Sequence, residues 1–117
     1  MPNSIVLEKA IKFALRIVKL YKYLTEEKRE FVLSKQILLS GTFVAKHVKA
    51  ALHGQSRQSF SSEMYIALQK ALETELSLLL LKEGEFLVAE HYNSMQDDCV
   101  EMIKMTSSIA KTSHENE

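Results

Sequence analysis

One proline, at position 2, and three glycines are all that a chain of 117 residues offers to interrupt a helix. Proline removes a backbone donor and clashes with the preceding turn, while glycine leaves the backbone too free. Between Asn3 and Ser40 neither residue occurs. The rest is rich in Leu, Lys, Glu and Ala, the strong helix formers, so the chain is expected to be all-α.

Apolar spacing divides it into four segments. The first runs from about residue 5 to 24, with Leu7, Ala10, Ala14, Ile17, Val18, Tyr21 and Leu24 recurring three or four apart. Ile11, Phe13, Leu15 and Leu20 widen its apolar surface beyond one stripe, and Asn3 or Ser4 is the candidate cap. The charged stretch Thr25 to Arg29 makes a short break, so the second helix is expected over about 30–53. Phe31, Leu33, Ile37, Leu38, Val44, Val48 and Ala51 form its inward faces. Gly41 falls inside that helix and is either a point of close helix approach or a tolerated defect.

Gly54 followed by Ser56 and Ser59 is a stop and restart, and the third helix is expected over about 57–82. Phe60, Met64, Ala67, Leu68, Ala71, Leu72, Leu78 and Leu79 follow helical spacing. Its end is apolar nearly all round, which marks Leu76, Leu78, Leu79, Leu80 and Leu81 as candidate oligomer contacts. Gly84 closes it, and the fourth helix is expected over about 88–111, with Tyr92, Met95, Cys99, Met102, Ile103, Thr106 and Ile109 on one face. The polar stretch from Thr112 to Glu117 reads as a frayed tail. Four long helices on short turns must alternate in direction, so the expected fold is a single-domain, antiparallel, up-and-down four-helix bundle.

Charge divides the chain in half. Up to Gln58 there are eleven bases against four acids, and beyond it four against eleven, although the total is zero. One reading is that a basic and an acidic hairpin attract each other within or between subunits. The other is that the basic half meets RNA or DNA. Lys9, Lys12, Arg16 and Lys19 form a basic ridge on the first helix, and phosphates reward such a ridge through counterion release.

Chemistry is harder to find. His47 and His53 fall on different helix faces, His91 stands beside Glu90, and Glu-x-x-His does not occur, so no metal or di-iron site is expected. Glu73 and Glu75 point apart on one helix. Ser40 and Thr42 near His47 form a nucleophile-and-base pattern only on paper, because helical hydroxyls ordinarily bond the preceding turn. Cys99 reads as a small core residue, and no glycine-rich phosphate loop occurs. No cofactor, small-molecule substrate or catalytic activity is expected. The longest leucine run, Leu78 to Leu81, is far short of a membrane span, and the start lacks a signal-peptide pattern, so a cytoplasmic protein is expected.

With the helices placed, several stretches resemble the four-helix-bundle proteins encoded in intervening sequences of bacterial 23S rRNA genes. They are Phe13-Ala14-Leu15-Arg16-Ile17-Val18, Phe31-Val32-Leu33-Ser34-Lys35-Gln36, Tyr65-Ile66-Ala67-Leu68 with Glu73-Thr74-Glu75, and Asp98-Cys99-Val100-Glu101-Met102-Ile103. Ser40-Gly41-Thr42 fits the same register, and the resemblance spans about residues 10 to 112. It implies an up-and-down bundle assembled as a ring-like homopentamer, with a non-catalytic scaffold or nucleic-acid-associated accessory role. The chain departs from the family's pattern at Leu39, Phe43, His47 and Ala50, where that pattern is polar, and at Lys70 and Ser77, where it has Glu and Trp.

Overall fold

A computed structural model describes residues 2–115, with side chains from residue 5 onward. Four helices follow in order: α1 (Pro2–Glu26), α2 (Leu33–Leu52), α3 (Arg57–Glu83) and α4 (Ala89–Glu115). Among the described residues there is no strand. At 1.5 Å per residue a 27-residue helix is about 40 Å long, which accounts for the 46 Å long axis of a body 21 by 19 Å across.

Cross-helix contacts set the direction of each helix. Lys9 of α1 meets Glu101 of α4, and Arg16 meets Ser94 and Asp98. Ser40 of α2 meets Thr74 of α3, and His47 meets Glu63. Tyr65 of α3 meets His114 of α4, and Lys82 meets Tyr92. In each pair of helices one number rises as the other falls, so neighbours run antiparallel. α1 packs on α2, α2 on α3 and α3 on α4, while α4 returns to α1 in the loosest of the four seams. α1 and α3 are diagonal, with no close backbone approach between them.

Phe13, Ile17, Leu24, Ile37, Val44, Met64, Leu78, Leu81 and Met102 fill the centre. The inward stripe of α1 is rotated from the expected one. It follows Val6, Ala10, Phe13, Ile17, Leu20 and Leu24, and leaves Ala14, Val18 and Tyr21 only half-buried. Phe31, expected inside, is exposed because it precedes the helix.

The boundary between α1 and α2 lies later than expected. α1 continues through Glu26 and α2 begins at Leu33 instead of residue 30, because Glu30 acts as a cap from outside the helix. Its carboxylate accepts the backbone N–H groups of Leu33 and Ser34 at 3.0 and 2.8 Å, and that of Val32 at 3.3 Å. Those are donors that the first helical turn otherwise leaves unsatisfied. Partial burial raises the carboxyl's pKa, but the N–H bonds from Leu33, Ser34 and Val32 and the Ser34 hydroxyl outweigh it and hold the group below 4.5. A depressed folded pKa contributes stability that is present above the unfolded value and lost as pH falls through the folded one. Glu30→Ala is therefore expected to cost about 1 kcal/mol at neutral pH. In urea titrations the gap between wild type and variant should narrow as pH drops below 4.5; a gap that is constant with pH would remove the charged-cap explanation.

The other turns keep closer to expectation. Ser56 caps α3 by accepting the N–H of Ser59 at 3.0 Å, and the Gly84 N–H returns to the Leu80 carbonyl at 2.8 Å. Left-handed backbone falls on Arg29 and Glu85 and on none of the glycines. α4 runs beyond residue 111 to Glu115, with Ala110 buried and the His114 ring 6.2 Å from that of Tyr65, so residues 112–115 are helix and not a frayed tail. The expected caps Asn3 and Ser4, and the last two residues of the tail, lie outside the described side chains.

Candidate functional site

The leucine run at the end of α3 divides between inside and outside. Leu78 and Leu81 are fully buried in the chain's own core. They continue the inward repeat of Met64, Ala67, Ala71 and Thr74, and so cannot be oligomer contacts. Leu76, Leu79 and Leu80 are exposed, Leu72 extends them one turn along the same helix, and Tyr65 lies two turns before Leu72. Leu72 and Leu79, which share helical spacing with the core residues, therefore lie outside it. The core instead takes Ser61 and Thr74, whose polarity hid them from an apolar pattern.

Thr74 is accommodated because its hydroxyl lies 2.7 Å from the Lys70 carbonyl and 2.9 Å from the Ser40 hydroxyl of α2. A second exposed apolar pair lies on α1, where Ile11 and Leu15 are one turn apart and 47 % and 57 % exposed. α1 and α3 are diagonal, so the bundle carries two separate apolar surfaces on opposite corners.

The basic ridge of α1 lies along the loose α1–α4 seam. Lys9 reaches Glu101 at 3.1 Å, and Arg16 holds Asp98 at 2.5 Å and the Ser94 hydroxyl at 2.9 Å. Among the described residues Lys12 and Lys19 hold no carboxylate. Two of the four ridge bases are therefore already engaged by acids from the far end of the chain, an attraction between basic and acidic halves within one subunit. Pairs this exposed stabilise by at most about 1 kcal/mol each.

The Arg16 bridge separates two hollows in the seam. One, of about 250 Å³, is bordered by Glu8, Lys9, Lys12, Asp98 and Glu101 over Ile5, Phe13 and Met102. The other, of about 340 Å³, has Leu20, Leu87 and Met95 as its floor and Tyr23, Lys19, Arg16, His91 and Ser94 around it.

Elsewhere the reactive side chains are committed to structure. The Thr42 hydroxyl donates to the Leu38 carbonyl at 2.6 Å, and that of Ser40 lies 3.4 Å from the Ile37 carbonyl. His47 pairs with Glu63 at 2.7 Å and stacks edge-on against Phe43. Lys70 pairs with Glu73 at 3.2 Å. Burial, then the charges of Glu75 and Asp98, push the Cys99 thiol up to about 12, so at neutral pH it is a protonated core group. Among the described residues no cluster of three His, Cys, Asp or Glu could hold a metal, and no helix is long and apolar enough to cross a membrane.

These features define an all-α bundle with an apolar outer stripe on α3. The chain belongs to the 23S rRNA-intervening sequence protein family, whose model matches residues 2–108. It is similar to a solved structure from Bacteroides thetaiotaomicron VPI-5482, a protein with unknown function from the S23 ribosomal protein family. The two are 44 % identical, the match covers 95 % of this chain and 99 % of that one, and the TM-score is 0.92. No curated protein matches the chain.

Proposed function

We propose that this chain is the building block of a non-catalytic, homo-oligomeric scaffold or accessory assembly in the bacterial cytoplasm. The observation that carries this reading is the exposed stripe of Leu72, Leu76, Leu79 and Leu80 on α3. Contiguous apolar surface on a small soluble domain is a contact surface in waiting. Covering half-exposed leucines returns about 1 kcal/mol or more for each side chain.

A second copy of the same chain is the partner that fits. Ile11 and Leu15 offer an apolar counterpart on the opposite corner, and a contact between two different patches is heterologous, the kind that builds a ring when the rotation between copies closes. The same contact brings the acidic α3–α4 hairpin against the basic α1–α2 hairpin. There Lys12, Lys22, Lys35 and Lys49 hold no carboxylate among the described residues of the subunit. A homopentameric ring is the arrangement that the family resemblance implies.

Sedimentation velocity at micromolar concentration tests this reading. Wild type should sediment as a discrete multiple of the 13.4 kDa subunit. Leu76→Glu combined with Leu80→Glu should sediment as a monomer of unchanged helicity. A wild type that remains monomeric would overturn the proposal.

A further inference from the structure

We infer that the hollow between Arg16 and Leu87 is a binding site for a small molecule with an apolar body and one carboxylate. Its floor is apolar, because Leu20, Leu87 and Met95 are core residues that present one edge to it. Its polar border carries Lys19, the Asp98-paired Arg16 and, on the opposite helix, the His91 imidazole, and no carboxylate is among its lining residues.

The neighbouring hollow in the same seam makes the contrast. There Glu101 pairs with Lys9, Asp98 with Arg16, and Glu8 stands beside Lys12, so it offers an anion no net attraction. Arg16 does not donate freely into the second hollow, since its guanidinium is spread over Ser94 and Asp98. It braces α1 against α4 and sets the end wall. Among the described residues Lys19 has no ion-pair partner, and its ammonium is the group left to meet the anion.

Size selects the class of occupant. About 340 Å³ lies in the range of small-molecule sites, whereas a helix some 10 Å across would not enter. The hollow exists because α1 and α4 are the least closely packed neighbours in the bundle. Its floor lies on the α4 side of α1, and Lys19 stands one turn beyond Leu15 along the same helix.

The test uses 1-naphthylacetate and its neutral amide as probes, with methyl NMR of the full chain as the readout. The carboxylate should give saturable shifts at Leu20, Leu87 and Met95. The amide and the Lys19→Gln variant should each bind about tenfold more weakly, the loss of one charge-assisted contact. Lys19 is exposed, so that variant leaves the fold intact. Equal binding of acid and amide, shifts confined to Leu72, Leu76 and Leu80, or no saturation at millimolar probe would each overturn the assignment.

Discussion

Leu78→Ala is expected to lower the unfolding free energy by about 3 kcal/mol, within the 2–5 kcal/mol typical of emptying a core leucine site. Leu78 is fully buried among residues of its own chain, so truncation leaves a cavity that α2 and α4 cannot close without shifting. Leu76→Ala, two residues earlier, should change the stability of the isolated subunit by less than about 0.5 kcal/mol, as expected of a surface site. That side chain is 57 % exposed, and its expected effect is on assembly. Urea denaturation at one fixed subunit concentration separates the two, because assembly itself adds to apparent stability. Equal losses would mean that the division of this leucine run between core and surface is wrong.

The second large effect falls at Gly41. A Cβ there would stand 2.7 Å from Ile17 Cγ1 and 2.9 Å from Cγ2, distances at which something must move. Ile17 is fully buried and branched at Cβ, so it has little freedom to turn away. Alanine gains about 1 kcal/mol of helix propensity over glycine, and overpacking costs about 1–3 kcal/mol. Gly41→Ala is therefore expected to destabilise by about 1 kcal/mol net, and a larger side chain by more. Ile17→Ala removes the obstructing atoms. In a double-mutant cycle the pair should then be less destabilising than the sum of the singles by more than about 1 kcal/mol. Additive effects would return Gly41 to a tolerated defect.

Much of this architecture is legible in the order of residues. Gly54 and Gly84 mark two turns, and Ile37, Val44, Val48, Met64, Ala67, Met95, Cys99 and Met102 fall inside at the expected spacing. The start of α2 was not legible, because no glycine or proline marks it and its cap, Glu30, reaches forward from a loop that reads as helix former. The leucine run hid its own division. Five apolar residues close together define no face, and only extending the repeat from Met64 through Thr74 singles out Leu78 and Leu81.

The basic ridge was visible as a pattern on one helix, but its partners were not. Lys9 and Glu101 are 92 residues apart, and only the return of α4 alongside α1 brings them together. The hollow beside Lys19 had no sequence signal at all. It arises from how loosely two helices meet.

The heterologous mode of assembly is tested most directly by mixing two single-patch variants. Leu76→Glu breaks the α3 surface and leaves that of α1; Leu15→Glu breaks the α1 surface and leaves that of α3. Each alone should be a monomer of 13.4 kDa. Mixed in equal amounts, they retain one intact pair of complementary patches, and sedimentation should show a heterodimer of twice that mass. If Leu15→Glu alone keeps the wild-type assembly, or the mixture stays monomeric, the two corners of the bundle do not meet and the proposed assembly is wrong.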